Sequence, residues 1–198
     1  TGDWSSDVCS SDLYGDRLLL KGFAITDHHT VRGYQKACQW LENWRWKHPS
    51  NWTSNQAKSK LPKLWCGVEI TSSLLDVDVH ILGYAFAPDH KAIRPYLQGG
   101  APSGEDRQAS LVIKALQAAG GVAVLAHPVR YRRSPEDLIP AAAALGIDGV
   151  ETYYAYDHPP EWRPTPHKTE RVQVLASAYQ LLSTCGTDSH GLTLTRRV

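Results

Sequence analysis

Asp27, His28 and His29 follow one another directly at the end of a short apolar run, Phe23-Ala24-Ile25-Thr26. Similar side chains close or interrupt other apolar runs. Glu69 lies inside Leu64-Trp65-Cys66-Gly67-Val68-Glu69-Ile70-Thr71, and His80 lies inside Val77-Asp78-Val79-His80-Ile81-Leu82. His127 follows Val122-Ala123-Val124-Leu125-Ala126, and Asp188-Ser189-His190 follows Ser183-Thr184-Cys185. Imidazoles and carboxylates are the groups that move protons and ligate metals. A mixed set of the two suits Zn, Mn or Fe better than Ca or Mg. A charged Glu69 on a buried strand costs several kcal/mol unless it is paired, and a metal is a natural partner. His28, Glu69, His80, His127, Asp188 and His190 are therefore the candidate metal ligands. Asp27 and His190 are the candidate catalytic groups, Asp27 either orienting His28 or shuttling a proton. His29 points away from His28 if the strand continues, and is not counted as a ligand.

Plainer readings exist for each residue. His80 or His127 could be ordinary hydrogen-bonded core histidines, and Glu69 could pair with Arg130. Agreement among five strand ends favours a shared site. Arg130, Arg132 and Arg133 follow His127-Pro128. Arg pairs bidentately with phosphate, which makes Arg130 a candidate phosphate-binding residue against the alternative of a solvated basic loop. Tyr153, Tyr154 and Tyr156 could form a stacking wall, but packing is their commoner use.

The elements that must position these groups alternate. Short apolar strands are expected at 23–26, 64–71, 77–87, 122–126, 148–154 and 183–185. Helical spacing is expected over 33–47, 105–119 and 169–182, with a further helix starting at Ser134 and Pro135 and Gly120-Gly121 as a stop. Pro140 is expected to kink or shift its helix. Residues 18–20 read as a frayed helix end and 48–63 as a loop, while Trp40, Trp44 and Trp46 read as core or core-edge packing. Strands alternating with helices argue a parallel sheet or barrel, whose strand ends converge on one face.

Composition narrows the classes. A chain of 198 residues with 42% apolar content suits one domain with a substantial core. A net charge of +1 gives no support for stable duplex-DNA or anionic-membrane binding. The four cysteines are scattered without C-x-x-C, which argues against a disulfide framework or zinc ribbon and points to a reducing cytoplasm. No run approaches the ~18 apolar residues of a membrane span. The chain has no methionine and begins at Thr1, so a native start is not expected there. Residues 1–13 lack periodicity, repeat Ser-Ser-Asp and resemble translated sequencing-adapter sequence; the segment reads as foreign or disordered, with no part in the core.

Taken in order, Ala24-Ile25-Thr26-Asp27-His28, Gly67-Val68-Glu69-Ile70, Val79-His80-Ile81-Leu82-Gly83-Tyr84, Ala126-His127-Pro128, Gly149-Val150-Glu151 and Thr187-Asp188-Ser189-His190-Gly191 resemble the motifs of the PHP (polymerase and histidinol phosphatase) superfamily of metal-dependent phosphoesterases. The nearest branch is that of small bacterial nucleotide phosphatases and 5′-3′ exoribonucleases. The resemblance implies an α/β fold, a distorted (β/α)7 TIM-like barrel over 14–198, with up to three metals. It also implies a small phosphomonoester, nucleotide or short nucleic acid as substrate. Two departures stand out. The family's opening Asp-x-His-x-His strand and first helix are missing, and no large helical insertion follows Leu82-Gly83-Tyr84. By the family's ligand pattern only Glu69, His80 and His127 remain as a complete set, so about one tight metal is expected. A non-catalytic PHP domain with partial metal binding, or an interaction scaffold, is the competing reading. The residues do not settle oligomeric state.

Overall fold

The computed structural model describes residues 6–7, 22–47, 63–159 and 162–190. Its strands are β1 (Ser6–Asp7), β2 (Gly22–Ile25), β3 (Lys63–Leu74), β4 (Val77–Tyr84), β5 (Val122–Leu125), β6 (Gly149–Tyr153) and β7 (Leu182–Cys185). Among the described residues four α-helices intervene: α1 (Arg32–Lys47), α2 (Ala109–Ala118), α3 (Pro135–Ala144) and α4 (Pro166–Ala178). The strands form one sheet in sequence order, β1 to β7. Neighbour-to-neighbour order with helical crossovers is the arrangement of a TIM-like barrel. Among the described residues none of the helices is long and apolar enough to cross a membrane.

The direction of the strands departs from the all-parallel expectation. β2–β3, β5–β6 and β6–β7 are parallel, whereas β1–β2, β3–β4 and β4–β5 are antiparallel. The reason lies in the two-residue turn Leu75-Asp76, whose φ values are +50° and +60°. Two successive left-handed residues make the tight reversal that joins a hairpin. β3 consequently runs on past Glu69 to Leu74 instead of ending at the site.

Register divides the sheet into two faces. Glu69, Leu82, Val124 and Gly149 stand opposite one another across β3, β4, β5 and β6. The alternating residues Val68, Ile70, Val79, Ile81, Ala123, Leu125 and Val150 belong to the main core with Val112, Ile113 and Leu116 of α2 and Leu138 and Ile139 of α3. The helices thus seal one face with apolar side chains, and the period of two leaves the polar residues on the other. Gly83 is required where α2 meets the sheet, because a Cβ there would lie 2.2 Å from Leu116 Cδ2. Ser134 starts α3 by accepting a hydrogen bond from the Asp137 amide at 3.2 Å. The helix includes Pro140 without ending there.

One expectation is corrected. Trp40 and Trp46 are 63% and 86% exposed, not core packing; α1 buries only Gly33, and Tyr34 meets the core from its first turn. Within 1–13, Ser6 and Asp7 pair with Ile25 and Ala24. The open edge of β2 offers unpaired amides and carbonyls that any extended segment can use. The rest of 1–13, the helix end at 18–20 and the loop at 48–62 lie outside the described residues.

Candidate metal centre

Glu69 is the hub. Its side chain projects from β3 on the face away from the helices and is 4% exposed. His80, on β4, places Nδ1 against Glu69 Oε1, and His127 Nε2 lies 3.5 Å from the same oxygen. His28 Nε2 approaches the other oxygen, Oε2, at 3.7 Å. The rings adjoin one another: His28 and His80 have centroids 5.2 Å apart, His80 and His127 5.3 Å. Ligand atoms of His28, Glu69 and His80 all fall within 4.8 Å of one another. The compact triplet therefore includes His28, where sequence resemblance centred the set on His127.

Backbone conformation places these rings. Past the end of β2, the Glu69 amide donates to the Asp27 carbonyl at 3.1 Å, and the His29 amide donates to the Glu69 carbonyl at 2.9 Å. This holds His28 level with Glu69 across the β2–β3 junction. His29 then turns with φ +55°, and its Nε2 lies 3.2 Å from Thr71 Oγ1. His127 has φ +27° and ψ 59°. Conformations of this kind cost a non-glycine residue about 1–3 kcal/mol and persist only when their surroundings hold them.

Protonation suits metal ligation. Burial alone would raise the Glu69 carboxyl, but the adjoining His127 and His80 imidazoles outweigh it and hold the group well below the usual carboxylate range. Burial pushes the His127 imidazole down, only partly opposed by Glu69. An ionised carboxylate beside a neutral imidazole is the state in which both act as ligands. Neither ring nitrogen of buried His127 has a well-formed hydrogen bond. The donor set thus fits a divalent ion of the Zn, Mn or Fe kind.

The other candidates form the adjoining wall. Asp188, 5% exposed, accepts from Tyr154 OH at 2.5 Å and from Arg130 Nη1 at 2.8 Å, both on Oδ2. The Tyr154 ring is 5.5 Å from His127, which links the two parts of the site. His190 Nδ1 lies 3.5 Å from Asp188 Oδ1 and its ring 6.3 Å from that of His28. Arg130 therefore pairs with Asp188, not with Glu69: the histidines already surround Glu69. Arg132 and Arg133 are exposed, and Arg133 Nε donates to the Leu75 carbonyl at 3.4 Å. Asp27 Oδ2 accepts from the Gly33 amide at 2.7 Å, so this carboxylate holds the first turn of α1.

Sequence reasoning gave three residues here no part in the site. Glu151, 1% exposed, accepts from the His127 amide at 2.7 Å. Tyr131 accepts from the His80 amide at 2.8 Å and lays its ring 5.3 Å from His127. Tyr154 had been read as packing. The signal for Glu151 was a carboxylate inside an apolar strand, the same signal that marked Glu69.

No protein-family model and no curated protein matches the chain. Among solved structures it is similar to a provisionally assigned metal-dependent phosphoesterase from Bifidobacterium adolescentis, with TM-score 0.60 and 23% identity over 89% of this chain and 82% of that one. It is also similar to an amidohydrolase from Chromobacterium violaceum with bound sulfate and no metal, with TM-score 0.63 and 17% identity over 88% of this chain and 79% of that one. At these identities the likeness is one of architecture: this chain has the α/β fold that those two proteins share.

Proposed function

We propose that the chain is a metal-dependent hydrolase of phosphoesters, acting on small phosphomonoesters, nucleotides or short nucleic acid. The observation that carries this reading is Glu69: a buried carboxylate met by three imidazoles, His28, His80 and His127, at one end of a TIM-like sheet. The names of the two structural neighbours, a phosphoesterase and an amidohydrolase, support hydrolysis in general. The phosphoester reading draws on the resemblance to PHP enzymes and on Arg130.

In this reading Glu69, His28, His80 and His127 hold the ion, with Asp188 and His190 beside them. A divalent ion so held supplies an activated water and neutralises charge on phosphoryl oxygens. Arg130 commits Nη1 to Asp188 and is one-third exposed; in this reading it grips a phosphoryl oxygen, which a planar guanidinium does bidentately. Tyr154 fixes the Asp188 carboxylate through its hydroxyl. His190, about a quarter exposed, exchanges a proton with the leaving oxygen in this reading. About one tightly held metal per chain is expected, centred on Glu69 and the imidazoles that meet it.

The test is hydrolysis of p-nitrophenyl phosphate with added Mn²⁺, alongside Glu69→Gln and His127→Ala. Turnover in the wild type that falls at least tenfold in both variants supports the proposal. Metal uptake without turnover would instead favour the non-catalytic PHP domain.

A further inference from the structure

Along β5 the side chains alternate: Val124 faces the site side of the sheet, Leu125 the helices, and Ala126 the site side again. Continued extended backbone would therefore send His127 toward the helices. It does not go there, because His127 leaves the strand with φ +27° and ψ 59°. That turn is what brings its ring to within 3.5 Å of Glu69. The His127 amide is the group that reports this turn, and it donates to Glu151 Oε2 at 2.7 Å. Glu151 reaches it from β6, two residues past Gly149 and on the same face as Val124. A carboxylate only 1% exposed is costly to bury. Here the buried acceptor meets a backbone donor whose position decides where a candidate ligand points.

We infer that Glu151 is the positioning residue of this centre, holding the left-handed backbone of His127 so that its imidazole joins Glu69 and His80. The inference rests on the metal-centre reading above. In this role Glu151 acts through His127. Loss of the acceptor lets the His127 peptide relax toward extended backbone, which withdraws the imidazole from the cluster. Metal affinity then falls even though every candidate ligand is still present.

The test uses the full chain and Co²⁺ as the probe, with visible absorption giving both the dissociation constant and the band shape. Glu151→Ala is expected to raise the Co²⁺ dissociation constant about 10–100-fold, the range for residues that orient a ligand, and to change the band shape. Glu151→Gln keeps an amide oxygen for the His127 N–H and is expected to restore near wild-type affinity. Thermal unfolding of the metal-free proteins runs in parallel. A lower Tm in Glu151→Ala with unchanged Co²⁺ affinity and spectrum would show a merely structural carboxylate and overturn the inference. If Glu151→Ala does not fold, Glu151→Asp decides, since it withdraws the acceptor by one methylene: weaker Co²⁺ binding supports the assignment and unchanged binding overturns it. A wild-type chain that takes up no Co²⁺ would overturn the metal reading itself, before any variant is compared.

Discussion

Removing the Tyr154 hydroxyl tests whether the wall beside the cluster is built as described. Tyr154 is 1% exposed and donates to Asp188 Oδ2 at 2.5 Å. Tyr154→Phe keeps the ring against Tyr156, 4.7 Å away, and His127, so packing is preserved, while the hydroxyl's bond to Asp188 and the weaker one it accepts from Arg130 Nη1 at 3.3 Å are lost. A bond to a charged acceptor contributes about 1.5–3 kcal/mol. Arg130 Nη1 still serves the same oxygen at 2.8 Å, so the lower part of that range, about 1.5–2 kcal/mol, is expected. In a chain of this size that is a fall in Tm of about 3–8 °C. The assay is thermal and urea unfolding of the protein in EDTA, so that metal does not compensate. Because both donors converge on Oδ2, Arg130→Met and the double variant should show a coupling of at least about 0.5 kcal/mol. A Tyr154→Phe protein within about 0.5 kcal/mol of wild type, the range of an ordinary surface change, would refute the reasoning.

Two further outcomes follow from the same geometry. Burial, then the neighbouring His28 and His80, lowers His29 to about 4; the unfolded chain titrates near 6.5 and binds more protons between those values, so stability should be lost as pH falls from about 6.5 toward 4. NMR titration of the metal-free chain checks this, and a His29 pKa above about 6 would contradict it. Gly83→Ala should cost about 1–3 kcal/mol by forcing a methyl into Leu116; a Tm equal to wild type would mean α2 does not pack against β4 as described.

Much of the candidate site was legible because its residues announce themselves locally. His28, Glu69, His80, His127, Asp188 and His190 each interrupt or end an apolar run, and ionisable groups in such places need partners. The alternation of strands and helices, the Ser134-Pro135 start of α3 and the core positions Val112, Ile113 and Leu116 were likewise visible, since each depends on neighbours within a turn or two. Strand direction was not. Whether β3 and β4 form a hairpin depends on left-handed backbone at Leu75 and Asp76, residues that carry no glycine to signal it. Exposure of Trp40 and Trp46 was hidden for a related reason: helical spacing says which residues share a face but not what covers it. The partner of Arg130 and the role of Glu151 were decided only when β5, β6 and the segment after β7 came together. Arg130 meets Asp188 across 58 positions of chain, and Glu151 meets His127 across 24. Sequence by itself determined which groups could do chemistry. Tertiary structure decided their pairings, because register between strands and one left-handed turn at His127 set where each side chain points.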